Sequence, residues 1–200
     1  MTTASRSATL IDLAWPEAAG VQAFRFLSLV VAGSLLLTIS AKITVPFWPV
    51  PMSLQTFAVM AIAAAFGWRL AVATVLLYLA QGAAGLPVFQ GTPEKGIGLL
   101  YMMGPTGGFL VGFIACAAIV GHAAETWARG SILKLGAAML IGDAVVFAFG
   151  LAWLGTLLGW DKPILAWGLY PFLAGDLVKI ALAAVAVPTA VAALERLRGL

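Results

Sequence analysis

Within the apolar runs of this chain stand three ionisable side chains, Asp143, Asp176 and Lys179. Each is costly at membrane depth, and so marks either a functional site or a pairing that neutralises it. Asp176 and Lys179 are three residues apart, so on a helix they share a face. One anionic acceptor beside one cationic donor suits a small zwitterionic or doubly polar ligand, with N–H groups bonded to Asp176 and a carboxylate to Lys179. The alternative is a local ion pair that makes both charges tolerable. The two are compatible, because such a pair keeps itself neutral until a ligand arrives. A helix starting near Tyr170-Pro171 places Asp176 roughly 8 Å and Lys179 roughly 13 Å below its outer end, at 1.5 Å per residue. Gly175 precedes the aspartate and allows close approach to the backbone. Asp143, nine residues past Lys134, reads as a helix-end carboxylate bonded to a neighbouring hydroxyl, to Arg129 or to Lys134.

The remaining composition excludes most other chemistry. Cys116 is the single cysteine and His122 the single histidine, so neither an internal disulfide nor a Cys/His zinc site can form. No G-x-x-x-x-G-K-[ST] loop is present, so the chain does not hydrolyse ATP itself. The net charge is +3 without a run of Lys and Arg, which points away from nucleic acid. No residue cluster calls for a cofactor. Charged residues are 10% of the 200 and hydrophobic residues 62%, whereas soluble domains carry roughly 25% charged residues. So few charges cannot build a water-facing surface. The mean hydropathy of +1.06 places the chain among small polytopic membrane proteins in the lipid bilayer.

The elements that must position these residues are therefore membrane helices, in an all-α protein. A bilayer core needs about 20 apolar residues per helix. Residues 26–43 provide a first span. Pro46, Pro49 and Pro51 then break any helix, so 45–51 reads as an interfacial loop. The apolar stretch 52–84 is too long for one span, and Gly67-Trp68-Arg69 divides it into short helices near 53–66 and 69–82. The Gly- and Pro-rich stretch 83–104 reads as a long outer loop between the third and fourth helices. Residues 106–127, 135–158 and 170–194 complete six transmembrane helices.

Residues 1–20 contain Asp12, Pro16 and Glu17 and no apolar h-region, so they are not a signal peptide. They read as part of a cytoplasmic N-terminal segment, 1–25, ahead of a single six-helix domain, 26–195. With the N-terminus inside, Arg6, Arg25, Arg69, Arg129, Lys134, Arg196 and Arg198 face the cytoplasm, and Lys42, Lys95 and Lys162 face outward. That is the distribution basic residues prefer, and it leaves both termini cytoplasmic. Trp48, Trp68, Trp127, Trp160 and Trp167 all fall near the expected interfaces, where indoles concentrate.

Small residues mark close approaches. Gly104, Gly108 and Gly112 recur every four residues, a spacing that lets helix backbones touch. Gly112 reads as packing. Gly107-Gly108, beside Thr106 at a helix start and next to the long loop, fit the approach of a ligand. On the first helix Ser34 and Thr38 are four apart and Gly33 and Ala41 eight apart, a face suited to docking a partner protein.

Four segments together resemble the BioY family, the biotin-specific S components of energy-coupling factor transporters. They are Pro49-Val50-Pro51 followed by Gln55-Thr56; Gly82-Ala83-Ala84-Gly85-Leu86-Pro87-Val88-Phe89; Gly104-Pro105-Thr106-Gly107-Gly108-Phe109-Leu110-Val111-Gly112-Phe113; and Pro171-Phe172-x-x-Gly175-Asp176-x-x-Lys179. They run in order from about residue 40 to 180. The resemblance implies six helices around a biotin pocket near the outer face of a prokaryotic inner (plasma) membrane. It also implies docking to a transmembrane coupling subunit driven by cytoplasmic ATPase subunits, and no enzymatic activity. Asp176 and Lys179, with Gly175, would be polar pocket residues, matching the ureido N–H groups and carboxylate of biotin. Thr106, Gly107 and Gly108 would approach the ligand. The loop from Leu86 to Tyr101 would close over it, with Phe89 and Tyr101 as binding residues and Tyr78 and Trp153 as apolar wall. One departure stands out: S components commonly carry Ala-x-x-x-Ala on the first helix, and here the nearest pattern is Ser34-x-x-x-Thr38.

Two rivals remain. Gly142-Asp143 and Gly175-Asp176 resemble the paired aspartates of intramembrane aspartyl proteases, but Leu140 and Leu173 stand where a G-x-G-D motif needs glycine. A self-sufficient secondary transporter with the same pocket would show an inverted repeat, and none is clear. A structural scaffold would bind no small molecule.

Overall fold

Apolar helices dominate because their backbone groups are satisfied internally, which a bilayer demands of any spanning segment. The computed structural model describes residues 9–15, 22–45, 50 and 52–198. The expected loop at Pro46, Trp48, Pro49 and Pro51, and the basic Arg6, lie outside the described residues. The elements are α1 (Leu10–Ala14), α2 (Gln22–Lys42), β1 (Thr44–Val45), β2 (Met52–Ser53), α3 (Gln55–Phe66), α4 (Trp68–Ala83), α5 (Gly98–Met102), α6 (Gly107–Glu125), α7 (Ile132–Leu158), α8 (Ile164–Gly168) and α9 (Tyr170–Arg198). β1 and β2 form a two-residue antiparallel pairing, Thr44 opposite Ser53 and Val45 opposite Met52.

Among the described residues, four stretches are long and apolar enough to cross a membrane: α2, α6, α7 and the run Ile164–Arg198 that contains α9. The chain is a multi-pass membrane protein. α3 and α4 are apolar but have 12 and 16 residues, about 18 and 24 Å, so length alone does not carry them across a core about 30 Å thick. They break at Gly67, whose φ of +78° is left-handed backbone that glycine adopts freely. The place a Cβ would take there is filled by the Glu125 carboxylate, with Oε1 at 2.0 Å.

Helix ends depart from the sequence expectation. α7 begins at Ile132 rather than 135, because the Ser131 hydroxyl accepts from the Lys134 amide at 3.3 Å and ends the preceding loop early. α9 continues to Arg198 rather than 194 and absorbs Pro188. α2 begins at Gln22, so Arg25 lies inside it and is buried.

α6 packs along α7 and also touches α3 and α4; α9 closes the bundle against α3 and α7. The main core gathers Met60, Val75, Tyr78, Phe89, Val120 and Met139, among others, from these helices and the long loop. α2 leans on α4, and this corrects the docking expectation. Ser34 is fully buried and its hydroxyl donates to Gln81 Oε1 of α4. Thr38 Oγ1 donates back to the Ser34 carbonyl at 3.0 Å. A Cβ on Gly33 would meet Thr74 Cγ2 at 2.7 Å, and Ala41 is buried. That small-residue face is used inside the chain, because it lets α2 approach α4. The exposed face of α2 carries Leu27, Val31, Leu35 and Ile39 instead.

A five-residue helix does not hold by itself, and α1 is held by charge as well as by buried Leu13. Arg25 Nη2 donates to Asp12 Oδ1 at 2.8 Å, and the Thr9 amide and hydroxyl donate to Oδ2 at 3.0 and 2.9 Å. Burial pushes the Asp12 carboxyl up, but the Thr9 amide, the Arg25 guanidinium and the Thr9 hydroxyl outweigh it and hold the group below the usual carboxylate value. A depressed carboxyl contributes stability above its unfolded value that is lost as pH falls through the folded one. The tether is therefore complete at neutral pH and fades only below the unfolded value of 3.8. At pH 7, Asp12→Asn should release α1: amide exchange at Leu13 and Trp15 rises while α6 stays protected. Equal exchange in both proteins would show that the apolar face of α1 suffices.

Candidate substrate-binding site

The start of α3 and the second and third turns of α9 bring together residues more than a hundred positions apart in sequence. Lys179 Nζ lies 2.8 Å from Asp176 Oδ1, an i,i+3 ion pair whose side chains are 11% and 3% exposed. The ammonium also donates to the Ser53 carbonyl at 2.7 Å and to Thr56 Oγ1 at 3.2 Å. Thr56 Oγ1 in turn donates to Asp176 Oδ1 at 2.9 Å. All three protons of the ammonium are thus used, and both charges are compensated where water is scarce. Asp176 Oδ2 takes no hydrogen bond among the described residues.

This pair forms the polar wall of a cavity. The opposite walls are apolar: Phe109 and Phe113 from α6, Val146 and Phe147 from α7, and Phe172 from α9. Thr106 lines it at the start of α6, and Gln55 at the start of α3.

The long loop supplies the remaining side through Phe89, Gln90 and Tyr101. Phe89 is buried, stacked on Tyr101 with centroids 4.9 Å apart and edge-on to Tyr78 at 5.3 Å. Its ring occupies the place a Gly82 Cβ would take, with Cζ at 2.0 Å. Gln55 Nε2 donates to the Tyr78 hydroxyl at 2.8 Å, and that hydroxyl donates to the Val88 carbonyl at 3.2 Å.

Of the residues singled out from sequence, Asp176, Lys179, Thr106, Phe89 and Tyr101 line this one cavity. The others do not. Tyr78 stands one layer behind, where Phe89 covers it. Gly175 faces away: a Cβ there would meet Met52 Sδ at 3.1 Å, so the glycine lets β2 lie against α9. Gly107 and Gly108 serve packing. A Cβ on Gly107 would lie 2.0 Å from the Met102 carbonyl oxygen, and one on Gly108 would lie 2.3 Å from Trp153 Cβ. Trp153 is partly exposed, and its Nε1 donates to the Gly104 carbonyl at 2.9 Å instead of forming a wall.

Asp143 also departs from expectation. It stands inside α7 rather than at its end, 8% exposed, and Oδ1 has no hydrogen-bond partner among the described residues. It lies within electrostatic reach of Asp176 and Lys179.

Sequence reasoning missed Ser53, Gln55 and Thr56 as site residues, though polar residues opening an apolar helix were a usable signal. The cavity phenylalanines gave none, since aromatics are common throughout such helices.

The architecture is that of a multi-pass membrane protein with a largely apolar cavity lined on one side by an ion pair. The chain belongs to the BioY family, whose model matches residues 12–196. A relative from Pyrococcus horikoshii, named a probable biotin transporter BioY, is 34% identical over 172 residues, covering 86% of this chain and 95% of its own. A biotin transporter BioY from Rhizobium etli is 36% identical over 168 residues, covering 80% and 85%. Among solved structures, the S-component for biotin from an ECF-type ABC transporter superposes with a TM-score of 0.74, covering 92% of this chain and 96% of that one. At 23% identity that likeness speaks for the fold.

Proposed function

We propose that this protein captures biotin and serves its uptake as the S component of an energy-coupling factor transporter. The observation that carries the reading is the compensated Asp176–Lys179 pair set in the wall of an otherwise apolar cavity. Biotin combines an apolar thiophane ring and valerate chain with ureido N–H groups and a carboxylate, so it needs both kinds of wall. Asp176 Oδ2 is the open acceptor for N–H groups. Family membership and the names of the relatives point to the same ligand.

The remaining elements follow from that role. Six helices cross a prokaryotic inner membrane as one domain, 26–195, behind a cytoplasmic segment 1–25. Both termini are cytoplasmic, as the basic residues favour. The loop from Leu86 to Tyr101 covers the ligand on the outer side. A transmembrane coupling subunit and cytoplasmic ATPase subunits supply the energy, since the sequence contains no phosphate-binding loop of its own.

Calorimetry on the detergent-solubilised, biotin-free protein should show tight biotin binding at one per chain. A well-folded protein that binds none would overturn the reading and leave the ion pair a structural role.

A further inference from the structure

The long loop makes few polar contacts with the bundle it covers. Two side chains from elsewhere hydrogen-bond onto residues 86–97 among the described residues, Tyr78 with one bond and Lys42 with three. Lys42 ends α2, and its ammonium donates to the Phe89 carbonyl at 2.9 Å, to the Thr92 carbonyl at 3.1 Å and to Thr92 Oγ1 at 3.0 Å. The Thr92 hydroxyl itself donates to the Phe89 carbonyl at 2.6 Å, which ties the two acceptor residues into one turn. Every donor of the ammonium is therefore spent on the segment that carries the cavity residues Phe89 and Gln90. A cation on the last turn of a helix is also favoured by the helix dipole, which holds the clamp at α2.

We infer that Lys42 is a positioning residue that latches this loop, so that ligand exchange through the loop side of the cavity requires release of its three hydrogen bonds. The inference rests on the biotin-binding reading for its consequence, but not for its geometry. Phe89 fills the Gly82 notch and stacks on Tyr101, and the bond to its carbonyl from α2 holds its backbone against the cavity. Freeing that carbonyl lets the ring swing out as a gate. Opening speeds entry and exit together, so the rates move more than the equilibrium affinity does.

Two measurements on wild type, Lys42→Met and Lys42→Arg test this. The first is amide hydrogen exchange on ligand-free protein: residues 86–97 should exchange at least about tenfold faster in Lys42→Met while α6 and α7 remain protected, and Lys42→Arg should stay near wild type. The second is dissociation of radiolabelled biotin into excess unlabelled biotin, where Lys42→Met should release at least about tenfold faster with a smaller change in Kd. Unchanged exchange in the loop, or release at the wild-type rate from a folded Lys42→Met protein, would overturn the latch. Faster loop exchange in a protein whose wild type binds no biotin would sustain the latch and sink the biotin reading, so the two fail separately.

Discussion

Lys179→Met should lower biotin affinity by roughly 10–10²-fold, the loss of one charge-assisted hydrogen bond of about 1.5–3 kcal/mol at 1.4 kcal/mol per factor of ten, and should separately destabilise the fold, because removing one partner of a buried ion pair costs about 3–5 kcal/mol. The Asp176 carboxylate, 3% exposed, would keep only the Thr56 hydroxyl as a neutralising contact. Asp176→Asn should act in the mirror sense and strand the ammonium between the Ser53 carbonyl and Thr56. Each single change therefore lowers folded yield as well as affinity, and affinity alone would not separate the two effects. The double variant Asp176→Asn with Lys179→Met separates them. It leaves no unpaired charge, so thermal stability in detergent should return most of the way to wild type. It also leaves no carboxylate acceptor and no cation, so biotin binding should stay lost. Recovery of both stability and affinity in the double variant would show that the pair only keeps itself neutral and that recognition lies elsewhere.

The sequence made this pair visible because charge inside an apolar run is rare and the i,i+3 spacing needs no tertiary knowledge. The same logic could not place Thr56 or Ser53, whose partners are more than a hundred residues away. Helix existence was legible from hydropathy for the same reason, and the break at Gly67 from one glycine between two apolar runs. Helix ends were less so, because a single cap such as Ser131 moves a boundary by a turn without changing composition. Asp143 shows the limit in another way. Its distance from Lys134 suggested a helix end, but the early start of α7 leaves it about 16 Å into the helix at 1.5 Å per residue. Lys42 was legible as a charge near a membrane surface, and only the folded loop shows that its ammonium meets the Phe89 carbonyl.

The glycines of α6 give the second large expected effect, since their spacing was readable but their purpose was not. Small residues every four positions signal a close helix approach, yet do not say whether a ligand or a neighbouring backbone fills the space. On α6 it is backbone. A Cβ on Gly108 would stand 2.4 Å from the Phe149 carbonyl oxygen and 3.1 Å from Gly150 Cα, besides the Trp153 Cβ at 2.3 Å; one on Gly112 would stand 2.7 Å from Val146 Cα. None of these atoms belongs to the far end of a side chain, so no rotamer change relieves the clash. Gly108→Ala must push α6 from α7, at an overpacking cost of about 1–3 kcal/mol or more. Because Phe109 and Phe113 on α6 face Val146 and Phe147 on α7 across the cavity, the same displacement widens the binding site. Gly108→Ala should therefore lower both thermal stability and biotin affinity in detergent. Gly136→Ala is the control: its Cβ would meet Ala184 Cβ at 3.7 Å, an ordinary contact, so both properties should stay near wild type. If Gly108→Ala were as stable as Gly136→Ala, the α6–α7 approach would have slack that its backbone contacts exclude.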